Sequence, residues 1–131
     1  MLKGSCLCGA IHYQIDGTLG NAMMCHCQKC RKSNGSAYAI NAPVAAADFS
    51  LLSGAEALKS HASSEDALRY FCGSCGTPIY SQRKSAPELL RLRLGSLDDE
   101  PEIEVQCHIF TASKASWDVI TDGLPQYEER P

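Results

Sequence analysis

The sequence predicts a mainly-β fold, and three observations carry that prediction. Apolar residues recur at every second position in short runs, which is the period of a half-buried strand. Glycine, proline and serine interrupt those runs at short intervals, where turns are needed. The 3.6-residue spacing of an amphipathic helix is almost absent. The 131 residues are enough for one hydrophobic core, so a single domain over residues 1–131, with its core at about 4–128, is expected.

The strands are read in chain order. Ile11, Tyr13 and Ile15 alternate with His12, Gln14 and Asp16 and end at Gly17. Ser36 to Asn41 reads as a second strand, expected to stop before Pro43 because proline cannot donate to a ladder. Phe49 to Leu52, halted by Ser53-Gly54, and Ala57 to His61 follow as short strands. Leu68 to Phe71 runs into a cysteine pair and Ile79 to Gln82 leaves it. Leu90, Leu92 and Leu94 alternate with Arg91 and Arg93, and Ile103, Val105, Cys107 and Ile109 with Glu104, Gln106 and His108. Ala45 to Asp48 is expected to form a short helical turn and little else is read as helical. The polar tail Glu128-Glu129-Arg130-Pro131 is expected to fray.

Composition excludes several classes. Hydrophobic residues at 44% and charged residues at 21% are ordinary globular usage, unlike a disordered chain. Twelve Lys plus Arg against fifteen Asp plus Glu give a net charge of -3, which disfavours non-specific nucleic-acid binding. No apolar run approaches the roughly 18 residues of a membrane span. The start, Met1 to Cys6, lacks the apolar core of a secretion signal, so a cytoplasmic, reducing location is expected.

Eight cysteines are the anomaly, and seven of them cluster. Cys6-Leu7-Cys8, Cys25-His26-Cys27-Gln28-Lys29-Cys30 and Cys72-Gly73-Ser74-Cys75 form three groups, with Cys107 alone. In a reducing compartment, thiols held this close serve a metal better than each other. A disulfide needs particular Cα spacing and torsion, whereas a short turn easily gives two thiolates to one tetrahedral ion. Small residues and Gly76, free to take positive φ, suit the second knuckle, and Cys8-Gly9 ends its pair in the same way.

A closed zinc site takes four ligands, and a reactive one takes three protein ligands with an open corner. Joining Cys6, Cys8, Cys72 and Cys75 makes a closed set and leaves Cys25, Cys27 and Cys30 as an open one, for two zinc ions per chain. The rival partition recruits Cys107 or His108 and closes both. Cys107 sits in a strand-like run, where a buried apolar thiol is the default.

Other residues carry two readings each. In a Cys-x-Cys segment alternate residues face one side, so His26 points away from an ion held by Cys25 and Cys27. It is either a loop residue or one that supports the ligands or faces substrate. Lys29, Arg31 and Lys32 are a solvated face or an attractor for an anionic substrate. Met23-Met24 reads as core, Arg83-Lys84 as a charged turn, and Trp117 as an anchor under a loop.

Three motifs, Gly4 to Gly9, Cys25 to Lys32 and Phe71 to Tyr80, resemble the glutathione-dependent formaldehyde-activating enzyme family, which also contains centromere protein V. Gly95-Ser96-Leu97-Asp98, His108-Ile109-Phe110 and Lys114-Ala115-Ser116-Trp117 extend the resemblance, from about Gly4 to Glu128. It implies a zinc-stapled β-tent of several small antiparallel sheets. It also implies a structural zinc on Cys6, Cys8, Cys72 and Cys75, and a catalytic one on Cys25, Cys27 and Cys30. The implied activity joins formaldehyde to the thiol of glutathione, as a carbon–sulfur lyase does in reverse.

Three thiolates suit such chemistry, because they leave zinc a poor generator of hydroxide yet able to hold a fourth thiol deprotonated. The expected partner is therefore a small thiol, with no nucleic acid and no membrane, and the oligomeric state stays open. His26 and His108 are the candidate general acids. Competing readings are a non-catalytic zinc-stabilised binding module, an iron–sulfur protein and a zinc-ribbon nucleic-acid binder. The last two are disfavoured by thiol count and charge.

Overall fold

The structure is a computed structural model that describes all 131 residues. Ten strands form two sheets. The smaller contains β1 (Leu2–Ser5), β2 (His12–Ile15) and β5 (Phe49–Ser53) in the order β1-β2-β5. The larger adds β3 (Ala22–Cys25), β4 (Ala39–Ala45), β6 (Leu58–Ala62), β7 (Ala67–Cys72), β8 (Pro78–Arg83), β9 (Ala86–Arg93) and β10 (Val105–Ile109). Its order is β10-β3-β4-β9-β8-β7-β6. The mainly-β expectation holds. The sheets are not all small and antiparallel, however: one has seven strands, and β10 runs parallel to β3, with His108 opposite Met24 and Ile109 opposite Cys25.

The apolar alternation explains the packing. Tyr13 and Ile15 on β2 and Leu92 on β9 are fully buried, and Ile11, Val44, Ile79 and Leu90 join them in the main core. Cys6 and Cys72 belong to the same cluster. A second, smaller cluster gathers Cys25, Cys30, Ala39, Cys107 and Ile109. No helix is long and apolar enough to cross a membrane.

Three local expectations are revised. Gln28–Asn34 is a helix, α1, where a loop is expected, because Cys27 caps it: its Sγ accepts the amide N–H of Cys30 at 3.3 Å. Only Cys30 of α1 is buried, so no apolar stripe announces the helix. Strand β4 continues through Pro43 to Ala45. There the Pro43 carbonyl accepts from Gly20 N–H at 2.9 Å, so its missing N–H lies on that side, away from the β9 ladder. Finally the tail is ordered beside β10: Phe110 N–H donates to the Glu129 carbonyl at 2.9 Å and Tyr127 N–H to that of His108 at 2.9 Å. Ile103 and Leu94 fall just outside the strands assigned to them, Leu94 beginning a 3-10 turn.

Gly4 on β1 permits the approach of the buried Tyr13 ring, whose hydroxyl pairs with Ser96 Oγ at 2.7 Å. A Cβ at Gly4 would lie 2.1 Å from Tyr13 Cζ, well inside contact distance. Gly4→Ala is therefore expected to cost about 1–3 kcal/mol of stability, as overpacking does. Chemical denaturation measures it.

Candidate metal centres and the cavity they face

Two turns build the four-cysteine group. Cys6 and Cys8 follow β1, and Cys72 and Cys75 bracket the turn from β7 into β8. Each turn closes on a glycine of positive φ, Gly9 at 79° and Gly76 at 82°, as expected from the sequence. Gly9 N–H donates to the Cys6 carbonyl at 3.1 Å and Gly76 N–H to that of Cys72 at 2.7 Å. Leu7 N–H reaches Thr77 Oγ1 at 3.0 Å and ties the turns together. Cys6 Sγ is 3.6 Å from Cys8 Sγ, and Cys8 Sγ is 3.8 Å from Cys72 Sγ. Two sulfurs at ~2.3 Å from one tetrahedral ion lie about 3.8 Å apart, so four free thiols within 4.8 Å of one another suit a shared metal.

The three-cysteine group stands at the junction of β3 and α1. Cys25 ends β3, Cys27 caps α1 and Cys30 lies in its first turn, with all three sulfurs within 4.8 Å. Cys25 and Cys30 are buried and Cys27 is half-buried. Contact with the sulfurs of Cys25 and Cys30 holds the Cys27 thiol far below its usual range, while contact with those of Cys27 and Cys30 pushes Cys25 far above. No fourth Cys, His, Asp or Glu joins this group. Cys107 and His108 stand apart from both; burial raises the Cys107 thiol pKa, as suits an inert core residue.

The sulfurs of Cys25, Cys27 and Cys30 open onto a cavity of about 520 Å³. Met23, Leu89, Ile109 and Phe110 supply apolar wall. Lys29, Arg69, Arg91, Arg93 and Arg130 supply positive charge, and no carboxylate lines it. None of these cations pairs with an acidic side chain: the molecule's two close base–carboxylate contacts are His26–Asp118 and His108–Asp122. Burial lowers the Arg93 guanidinium to about 10, against the pull of Cys30, and its Nε has no partner.

The basic run after Cys27 is therefore divided. Lys29 lines the cavity, but Arg31 turns to the Ser113 carbonyl (3.1 Å) and the Trp117 ring, and Lys32 lies outside. Trp117 is 68% exposed, so it is no buried anchor. The arginines that do face the sulfurs come from β7, β9 and the tail, distant in sequence. A run of Leu-Arg alternation on β9 was the available signal for Arg91 and Arg93: if the leucines are core, the arginines share the other face.

His26 is fully buried, which removes the loop reading. Its backbone N–H donates to the Ile109 carbonyl at 3.0 Å and its carbonyl accepts from Ser113 Oγ at 3.1 Å. Its Nε2 lies 2.8 Å from His108 Nδ1, and His108 Nε2 lies 2.7 Å from Asp122 Oδ2. A carboxylate only accepts, so in the neutral tautomer His108 donates to Asp122 and accepts from His26. Neither histidine lines the cavity, so neither is placed to act as the general acid. Met24 is core as expected, while Met23 reaches the cavity.

Residues 1–113 match the family of glutathione-dependent formaldehyde-activating enzymes, and the chain belongs to that family. The match ends before Lys114-Ala115-Ser116-Trp117, so the segment bearing Asp118, Asp122 and Arg130 lies beyond it. Among solved structures the chain is similar to a crystal structure of a Rhodobacter sphaeroides protein. The two are 29% identical, with a TM-score of 0.64, over 76% of this chain and 91% of that one. Family and geometry together give a mainly-β protein with two cysteine groups able to hold metal.

Cys107→Ala is expected to leave the number of bound metal ions unchanged and to cost about 1 kcal/mol in stability. Elemental analysis and a denaturation curve check both.

Proposed function

We propose that the protein binds two zinc ions and uses one of them to join a small thiol, such as glutathione, to an aldehyde such as formaldehyde, or to reverse that addition. Three sulfurs without a fourth protein ligand, facing a cation-lined cavity in a chain of this family, carry the reading. Cys6, Cys8, Cys72 and Cys75 hold the structural ion, and Cys25, Cys27 and Cys30 hold the reactive one. The donor sets fit: thiolate is zinc's preferred soft ligand, and the sulfur spacings match a common ion.

When bound by three thiolates, zinc supplies a site where a visiting thiol stays deprotonated near pH 7. The chain does the rest. Arg91, Arg130 and Lys29 bind the carboxylates of the thiol compound, guanidinium groups doing so with paired donors. The apolar wall of Leu89, Ile109 and Phe110 limits water and leaves room for a small carbonyl beside the sulfur. In the addition, the thiolate sulfur forms a bond to the carbonyl carbon. The π pair of the C=O moves to oxygen, which takes up the proton the thiol released, giving R–S–CH₂OH from R–SH and CH₂O. Arg93, with an unpartnered Nε, is available to stabilise negative charge on that oxygen.

Cys27→Ser is expected to lose one of two zinc ions while the fold survives. Cys72→Ser is expected to unfold the chain, because a structural zinc can contribute ~10–16 kcal/mol of apparent folding energy. Zinc content with circular dichroism reads both. X-ray absorption showing four protein ligands at each ion would overturn the proposal in favour of two structural sites. Arg91→Gln combined with Arg130→Gln is expected to raise the glutathione KM about 10-fold or more with kcat little changed, as loss of ground-state binding does. Steady-state kinetics with formaldehyde check it.

A further inference from the structure

Arg69 on β7 makes contacts that the proposed reaction does not require. Its Nη1 lies 3.6 Å and its Nη2 3.7 Å from Cys30 Sγ, so both arms of the guanidinium fork address one sulfur. The fork is held from behind. Nε donates to Ser63 Oγ at 3.0 Å and Nη1 also donates to Ser33 Oγ at 3.1 Å, on the helix that carries Cys30. No carboxylate competes for it. A long, flexible cation held by two contacts to a sulfur and two to serine hydroxyls is not a solvated surface arginine.

We propose that Arg69 is a positioning residue for the three-sulfur group, fixing Cys30 and drawing electron density from its thiolate so that the metal held there stays short of electrons. The inference rests on the metal-holding role of Cys25, Cys27 and Cys30 proposed above. Three thiolates give zinc a net charge of -1 and weaken its pull on any incoming group. Two N–H donors on one of them offset part of that excess, and hydrogen bonds to ligating sulfur are an established lever on a metal's electronic state. Lysine would supply one point charge in place of a planar fork. The same contacts tie α1 to β7, so Cys30 is held by the far side of the large sheet as well as by its own helix.

Cobalt(II) taken up by the full chain during production in cobalt-supplemented medium reports the effect. Each cysteine group then gives a sulfur-to-cobalt charge-transfer band, and the component missing in Cys27→Ser belongs to the three-sulfur group. In Arg69→Gln the sulfur lone pairs rise in energy, so that component shifts to lower energy while the four-cysteine component stays in place. Retention of that one cobalt ion against a competing chelator falls about 10-fold or more. Arg69→Lys, which keeps a cation within reach of Cys30, falls between Arg69→Gln and the unaltered chain. Unchanged position and retention in Arg69→Gln with both ions bound overturns the inference, and so does an equal disturbance of both components. An unaltered chain that takes up a single cobalt ion overturns the metal reading of Cys25, Cys27 and Cys30, and this inference with it. If Arg69→Gln does not fold, Ser33→Ala removes one anchor of the fork: a smaller shift in the same direction supports the inference, and none overturns it.

Discussion

Sulfur crowding is the constraint on which the rest of this structure depends. Seven thiols are packed into two groups, each with its sulfurs within 4.8 Å. Neutral thiols gain little from such contact, and neighbouring thiolates repel strongly where water is scarce. A cation in each group would resolve the conflict, and both groups are able to hold one. The four-cysteine group lies at the margin of the main core, where Cys6 and Cys72 pack among Ile11, Tyr13 and Ile79. It joins the end of β1 in the small sheet to the β7–β8 turn in the large one. The three-cysteine group is fixed instead by one parallel strand pair, since β10 bonds to β3 and carries Ile109 against Cys25.

Much of this was legible in the sequence, for reasons that particular residues make clear. Period-two alternation at Ile11, Tyr13 and Ile15 marks a half-buried strand because one face meets the core, and all three are fully buried. Cysteine spacing encodes ligand sets because a tight turn fixes two sulfurs locally, and Gly9 and Gly76 supply the backbone shape. Local chemistry is silent, however, about what distant strands bring. Arg69, Arg91, Arg93 and Arg130 converge on one cavity only through the strand order β9-β8-β7 and a tail laid beside β10. The basic residues adjacent to the ligands were the visible candidates, and only Lys29 of them faces inward. Helix α1 carries no periodic signal, because a sulfur caps it and no apolar stripe accompanies it.

The C-terminal segment gives this chain features beyond the part that matches its family. Asp122 holds His108, which in turn orients the buried His26 between two candidate ligands. The Asp122 carboxyl is kept below its usual range by the Leu124 N–H and then by His108. Phe110, just inside the matched residues 1–113, takes a positive φ of 56°, unusual for a bulky side chain. That conformation directs its ring into the cavity wall, where the Arg130 guanidinium stands 5.4 Å from the ring centroid. One residue of positive φ thus joins the wall of the cavity to the tail.

The absence of any lysine or arginine ion pair has a kinetic consequence. The chain carries a net charge of -3, yet five cations and no carboxylate line the cavity. Five of the chain's twelve lysines and arginines thus gather in one place, so a small anion is drawn towards that opening. Such focusing raises capture rates by about 10-fold or more and fades as the ~8 Å screening length of physiological salt shortens. Ionic strength therefore acts on how fast an anion arrives.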